Sequence, residues 1–309
     1  MAILKPAVKL IVRESAHYQL KGPLLSLGVP EVYATMSELR RWLPEYAGRE
    51  VTLNDSAIRQ STNKFGSRLG WIDARTFFST LGIDEFHSLD LPDCEYPAEI
   101  IHDLNDPLPE KWSGKYQTIM DPGTLEHVFD VRTCLANIVS ALAVGGVVCH
   151  LVPIYSYNGG YYSINPNVLM DFYRQNAFTD IKAFVLMWDR YWPFSTRKTQ
   201  CYVYREDVLG SRHALTEADQ FRYTPHLLLF ARKQSVKHPL VSPLQFGGAY
   251  MAGASALPQT RAQALEARGK KIAAGLRNII PLHLALRLQT AVYRRLVHWR
   301  ARREAGFRI

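Results

Sequence analysis

The stretch DLNDPLPEKWSGKYQTIMDPGTLEHVFDVRTCLANIVSALAVGGVVCHLVP, residues 103–153, decides the fold. Within and just beyond it, YQTIMD (116–121) and VVCHLVPIY (147–155) are short apolar runs bounded by turn residues, which indicates strands. Residues 130–146 carry apolar side chains at helical spacing and end at a pair of glycines, which indicates a helix. A strand, a helix and a second strand in this order predict two parallel strands with the helix packed across them.

The same alternation continues in both directions along the chain. Helices are predicted at residues 73–82, with Asp73 as the N-cap and Gly82 at the end, and at residues 165–178. Because continuous apolar strands alternate with helices, the sequence predicts an α/β fold with a mainly parallel sheet covered on both faces. The other strand candidates are residues 22–29, 86–91, 98–104, 182–188, 201–205 and 226–233.

Three aspartates stand at or near the ends of consecutive predicted strands: Asp90, Asp103 and Asp121. In a parallel sheet the carboxyl ends of the strands meet at one edge, and ligands bind in the crevice beyond it. For any single aspartate, capping of the following turn is an equal alternative. The series of three therefore predicts a ligand-binding rim.

This series, together with the GTLEHVFD motif (123–130) and the AVGG turn (143–146), resembles a class I S-adenosylmethionine (SAM)-dependent methyltransferase. The chain is similar in particular to bacterial methyltransferase-like proteins with the GTLEHVFD motif. The resemblance is strongest over residues 86–180 and extends more weakly over residues 22–235. It implies a Rossmann-like αβα sandwich with a mostly parallel seven-stranded sheet, SAM as the cofactor, and methyl transfer to a small-molecule, glycan or lipid-linked acceptor.

The resemblance also implies roles at single positions. Asp90 matches the acid that accepts hydrogen bonds from the two ribose hydroxyls, and a carboxylate suits a diol because it only accepts. Asp103 and Leu104 match the pair beside the adenine, and Gly28 matches the first-strand glycine near the methionine part. The turn under the reacting sulfonium would contribute Asp121, Gly123 and Thr124.

The first strand departs from the family pattern. An acid commonly stands two residues before the glycine, where this chain has Ser26, and Pro122 stands where glycine is common. The spacing of 62 residues between Gly28 and Asp90 exceeds the roughly 20 of a compact nucleotide-binding unit. We therefore expect residues 40–72 to be an insertion or a lid. The departures keep open the alternative of a non-catalytic scaffold or membrane adaptor with the same fold.

His127 and His150 are candidate catalytic bases, because imidazole titrates near working pH and an oxygen or nitrogen acceptor loses a proton. Packing within the fold is the alternative for both. No spacing indicates a metal site, since Glu126 and His127 lack an identifiable third ligand. The tyrosine- and glycine-rich loop 155–166 would meet a flat or sugar-like acceptor, unless its rings merely cover the sheet end. Its predicted substrate residues are Asn158, Tyr161 and Tyr162.

Charge divides the chain into two parts. The net charge is +9, but residues 261–309 hold twelve basic residues and two acids, a net of +10, so the first 260 residues net −1. We predict a methyltransferase-like domain over residues 1–235, a linker rich in Pro, Gly, Ala and Ser over 236–260, and a basic helical tail over 261–309.

The tail pattern predicts an amphipathic helix that binds an anionic membrane surface, with docking on a protein partner or on its own domain as the alternative. Nucleic acid is disfavoured, because the apolar stripe would have no role. The basic and polar side comprises His283, Arg287, Thr290, Arg294, His298 and Arg302, and the apolar side comprises Leu284, Leu288, Val292, Leu296 and Trp299.

The expected location is the cytoplasm, with the inner membrane surface as a peripheral site. The four cysteines (Cys94, Cys134, Cys149 and Cys201) lie far apart without metal spacing, which favours reduced thiols. Lysine and arginine interrupt the apolar N-terminal stretch, which argues against a secretory signal, and no run of about 18 uncharged apolar residues is found.

Overall fold

The computed structural model describes residues 2–50, 53, 55–92, 97–156, 159–189, 199–204 and 223–243. The predicted tail, most of the predicted linker, Cys94 and Asn158 lie outside the described residues. No helix in the described part of the chain combines the length and the apolar character that a membrane crossing requires.

The strands are β1 (Ala2–Ile3), β2 (Leu24–Leu27), β3 (Glu31–Val32), β4 (Phe86–Asp90), β5 (Ile100–Ile101), β6 (Tyr116–Asp121), β7 (Leu142–Pro153), β8 (Phe178–Asp189), β9 (Gln200–Val203) and β10 (Tyr223–Lys233). Eight of them form one sheet in the order β5-β4-β2-β6-β7-β10-β8-β9, and β1 pairs with β3 separately. All pairs from β5 to β7 are parallel, whereas β10 is antiparallel to both neighbours. The expected count of seven strands is therefore one too low, because β9 adds an antiparallel strand at the edge.

The helices are α1 (Lys5–Tyr18), α2 (Met36–Trp42), α3 (Lys64–Arg68), α4 (Ala74–Thr80), α5 (Val131–Ala141) and α6 (Pro166–Gln175). The predicted cap of α4 is confirmed, since the Asp73 carboxylate accepts from the Thr76 amide at 2.7 Å. The prediction that α5 reaches residue 146 is wrong, because Leu142 already begins β7. The Lys233 ammonium donates to the carbonyls of Val139 and Leu142, which satisfies acceptors that the end of the helix leaves open.

Two apolar cores confirm the layered sandwich. Along β7, Cys149 and Leu151 join the core that contains α1, α2 and α4, whereas Val148 and Val152 join the core that contains α5 and α6. Alternate residues of a strand point to opposite faces, so each face of the sheet is covered by its own helices.

The strand order places a topological switch point between β2 and β6. From β2 the chain moves outward to β4 and β5, then crosses back to the other side of β2 to form β6 and β7. Beyond the carboxyl ends of strands at such a reversal, an open α/β sheet forms its ligand crevice.

Part of the predicted insertion, residues 40–72, packs against the first core. Trp42 and Leu43 are buried there, and the Ile72 amide donates to the Ala34 carbonyl at 3.0 Å. These contacts attach both ends of the segment to the domain, and its role as a lid stays a prediction.

Candidate functional site

The carboxyl ends of β2 and β6 are joined at the switch point. Gly28, directly after β2, has a φ of 88°, which favours glycine, and its amide donates to the Leu89 carbonyl at 2.6 Å. The Thr124 hydroxyl donates to the Leu27 carbonyl across the gap between the two strands. Gly28, Gly123 and Thr124, three predicted cofactor residues, are therefore brought to one edge of the sheet.

Asp121 lies at the same edge, but its carboxylate faces inward. It has no solvent exposure, and one oxygen accepts from the amides of Thr124 at 2.8 Å and Leu125 at 3.2 Å. The other oxygen lies 2.7 Å from Nδ1 of His150. Because these three donors occupy the carboxylate, its side chain orders the turn after β6 and does not face the crevice.

His150 forms the centre of a buried hydrogen-bonded chain. Its Nε2 lies 2.6 Å from the Tyr173 hydroxyl on α6. Burial, and then the negative charge of Asp121, raise the pKa of Tyr173 well above its usual value. The phenol therefore stays protonated, and its O–H donates a hydrogen bond to Nε2. His150 in turn donates through Nδ1 to Asp121, which only accepts.

The predicted catalytic role of His150 is therefore wrong. The side chain has no exposure and both ring nitrogens have partners, so an acceptor cannot reach it. The sequence did contain a signal for this structural role, because a histidine inside an apolar strand needs a polar partner. The parallel register supplies that partner by placing Asp121 beside His150 on the adjacent strand.

Asp90 ends β4, next to β2, and is half-buried. One carboxylate oxygen accepts from the Leu91 amide at 2.8 Å, and the Asp90 carbonyl accepts from the His102 amide at 3.1 Å. Within the described residues the second carboxylate oxygen forms no hydrogen bond, so Asp90 keeps acceptor capacity at the rim.

Asp103 follows β5 beside Asp90 and is exposed. Its carboxylate accepts from the backbone and side-chain nitrogens of Asn105, at 2.9 and 2.8 Å, and these bonds lower the pKa of Asp103. Leu104 is buried in the core, where its carbonyl accepts from the Asn137 amide group at 3.2 Å. The Leu104 side chain therefore packs inside the domain, whereas the Asp103 side chain lies at the surface, and the adenine contact of this pair stays a prediction.

Glu126 is a buried acid that the sequence analysis did not select as a site residue. It is 5 % exposed, and its Oε2 has no hydrogen-bond partner among the described residues. Burial, and then the negative charge of Asp121, raise the pKa of Glu126 to about 8. An acid inside the apolar turn TLEHVF was the available sequence signal.

The loops that follow β6 and β7 are joined at the same edge. The Glu126 carbonyl accepts from the amides of Tyr161 at 2.8 Å and Tyr162 at 3.2 Å, and the Tyr162 hydroxyl donates to the Phe129 carbonyl at 3.0 Å. Phe129 and Tyr161 are 71 % and 70 % exposed, with ring centroids 5.9 Å apart in an edge-to-face arrangement. His127 is exposed in the same turn, so the rim presents an imidazole and an aromatic pair to solvent.

In the described residues, no group of three or more His, Cys, Asp and Glu side chains is arranged to hold a metal ion. Neither a protein-family model nor a curated protein matches the sequence.

Several solved structures are similar to this chain, with low sequence identities and low TM-scores. One is a SAM-dependent methyltransferase from Thermotoga maritima, at 14 % identity over 51 % of this chain and 77 % of that one, with a TM-score of 0.33. Another is the YcgJ protein of Bacillus subtilis, at 12 % identity over 74 % of this chain and 98 % of that one, with a TM-score of 0.35. At these scores the similarity does not define the fold. The fold assignment rests on the strand order and the two cores.

Proposed function

We propose that the protein is a SAM-dependent methyltransferase that binds the cofactor beyond the carboxyl ends of β2, β4 and β6. The observation that carries the proposal is the half-buried Asp90 carboxylate next to the Gly28 turn at the switch point. SAM, when bound, would supply an electrophilic methyl group on a sulfonium, from which the neutral thioether of S-adenosylhomocysteine is a good leaving group.

Two features of β2 and β4 fit this cofactor. Asp90 uses one oxygen for Leu91 and retains lone pairs for the two hydroxyls of a ribose. Ser26, at the position where the family commonly has an acid, is fully buried, and its hydroxyl has no hydrogen-bond partner within the part of the chain that the structure describes. Since a buried hydroxyl rarely stays unpaired, it supports a polar ligand group at this end of the sheet.

The remaining residues orient the cofactor and the acceptor. Asp103 would accept from the exocyclic amine of the adenine, and the backbone of Gly123 and Thr124 would hold the sulfonium end of the cofactor. His127 accepts the proton that an oxygen or nitrogen acceptor loses, because it is the exposed histidine of the two predicted bases. Alignment of the acceptor with the methyl group and exclusion of water provide the rest of the rate enhancement.

Isothermal titration with SAM and with S-adenosylhomocysteine tests the cofactor site. Asp90→Ala removes a charged acceptor and is expected to weaken binding about 10-fold or more. The matched control is Asp84→Ala, which removes an exposed carboxylate from the loop that precedes the opposite end of β4 and leaves affinity unchanged. Wild-type protein that shows neither heat nor a thermal shift with millimolar ligand rejects the proposal.

The second candidate function is a scaffold or membrane adaptor that has the fold without the chemistry. The replacement of the usual acid by Ser26 favours it, because a neutral hydroxyl is a weaker partner for an ammonium than a carboxylate. The same titration separates the two candidates.

For the acceptor, we propose a small-molecule, glycan or lipid-linked compound that stacks on the rim aromatics Phe129 and Tyr161. The basic tail, residues 261–309, would bring the protein to an anionic membrane surface. Co-sedimentation with vesicles containing anionic lipid tests this, because a chain truncated after residue 260 should stay in the supernatant. Equal pelleting of both forms would reject membrane binding by the tail.

A further inference from the structure

Glu126 is in close contact with the loop that follows β7. The amides of Tyr161 and Tyr162 donate to its carbonyl, and Gly160 lies against its side chain. A Cβ at Gly160 would lie 2.9 Å from both Cγ and the carbonyl oxygen of Glu126, and Gly160 has a φ of +145°. The loop of residues 159–162, called here the closing loop, therefore excludes solvent from Glu126 through direct backbone contact.

The other side of Glu126 is closed by the turn after β6. A Cβ at Gly123 would lie 3.0 Å from the Oε1 atom of Glu126. In the described residues no lysine or arginine forms an ion pair with Glu126, and Oε2 has no partner. A buried carboxyl group without a partner is far cheaper to keep neutral than ionised.

The titratable groups around Glu126 also disfavour a second negative charge. Asp121 at the end of β6 is the acid whose negative charge raises the pKa of Glu126. No cation is held between the two acids in the described residues. The other titratable groups on the elements packed around this turn are His150 from β7, Tyr173 from α6, Cys134 from α5, His127 in the same turn, and Tyr161 and Tyr162 on the closing loop. The positive charge of the N-terminal ammonium lowers the pKa of Glu126, but by less than burial and Asp121 raise it.

We propose that Glu126 is a positioning residue: its neutral side chain keeps the closing loop seated on the turn after β6, and loss of its proton to solvent accompanies opening of that loop. The loop carries the predicted acceptor residues Tyr161 and Tyr162, so the effect on methyl transfer rests on the proposed function. The opening of the loop does not depend on the proposed function.

The direction of the pH dependence of loop closure follows from the difference in the pKa of Glu126 between the closed and open states. The pKa of Glu126 is about 8 in the closed state and near the ordinary 4.5 once the loop opens and water reaches the carboxylate. Closure is therefore fully stable below pH 4.5 and weakens progressively as the pH rises to about 8, where the loss levels off.

Hydrogen exchange at the amides of Tyr161 and Tyr162 measures the opening. Base-catalysed exchange of any amide accelerates about 10-fold per pH unit, and linked opening multiplies this by up to about 10-fold more per unit between pH 5 and 8. Glu126→Gln, which cannot ionise, should return both amides to the ordinary slope. The Ile72 amide, bonded to Ala34 near the opposite core, should keep the ordinary slope in both proteins.

Carbon-13 NMR of labelled glutamate carboxyl groups provides a second measurement, and its main readout is taken on the wild-type protein. Wild-type protein should show one carboxyl titrating near pH 8, and Glu126→Gln identifies it by its loss. Gly160→Ala forces the loop away and should shift that titration toward 4.5. Ordinary exchange slopes at both tyrosine amides in wild type, or no carboxyl titrating above about pH 6, would overturn the proposal.

Failure of this proposal and failure of the proposed function are distinguishable. Both measurements use the protein without SAM or acceptor, so they report on the loop even if the chain binds no cofactor. Conversely, SAM titration at pH 6 and pH 8 on Glu126→Gln reports on the cofactor site independently of the loop.

Discussion

The two sides of the switch point use the same kind of residue in opposite ways. At the end of β6, the Asp121 carboxylate accepts from two amides and from His150 and is fully buried. At the ends of β4 and β5, Asp90 and Asp103 bond to atoms one and two residues away and remain partly or fully exposed. A strand-end acid therefore belongs to the structure when an adjacent strand supplies it with a buried partner, and remains open to a ligand when only its own loop binds it.

The largest expected difference between the two sides is in stability. Asp121→Ala leaves the amides of Thr124 and Leu125 and the ring of His150 without their acceptor in a buried site. The free energy of unfolding should fall by about 3 kcal/mol or more. Asp103→Ala changes an exposed side chain and should alter it by no more than about 0.5 kcal/mol. Urea unfolding of both variants checks this, and similar losses would remove the distinction between the two sides.

A smaller loss is expected one step further along the buried chain. Tyr173→Phe removes the donor to His150 Nε2 and should cost about 1–2 kcal/mol. Tyr116→Phe is the matched control, because the Tyr116 hydroxyl is also buried but has no hydrogen-bond partner among the described residues. Its removal should leave the urea midpoint unchanged or raised. If both variants lose the same stability, the hydroxyl of Tyr173 has no special role.

The smallest expected effect concerns the bond that joins the two sides. Thr124→Val keeps the volume and removes the hydroxyl that donates to the Leu27 carbonyl, which should cost about 1 kcal/mol in thermal or urea unfolding. Thr133→Val removes a hydroxyl bonded to Asp130 at the exposed start of α5 and should cost less than about 0.5 kcal/mol. A cost for Thr124→Val no larger than for Thr133→Val would contradict a tie between β2 and β6.

Local patterns predicted the elements well where the signal lies in neighbouring residues. Asp73 caps its helix as expected, and β4 and β6 end at the predicted aspartates. The end of α5 was mispredicted because Leu142 pairs with Tyr116 of β6, and because Lys233, 94 and 91 residues further along the chain, bonds to the carbonyls of Val139 and Leu142. Such a contact leaves no trace in the local sequence.

The sequence indicated which residues lie at the rim better than it indicated where their side chains point. The rim residues Gly28, Asp90 and Thr124 follow from the strand ends, but the direction in which each side chain points depends on its neighbours in the sheet. His150 was interpreted as a base because its partners, Asp121 and Tyr173, lie on two other elements. Glu126 was missed because its burial depends on the closing loop, which the turn's own sequence does not specify.

The position of β10 has a consequence for how the chain is made. This strand comes last among the described elements yet lies in the interior of the sheet, bonded to β7 on one side and β8 on the other. A nascent chain released from the ribosome up to β8 has two unpaired edges where an apolar strand belongs, and such edges invite pairing with other chains. Productive folding during synthesis therefore waits for residues 223–233 to emerge, and a prematurely terminated product would be prone to aggregate.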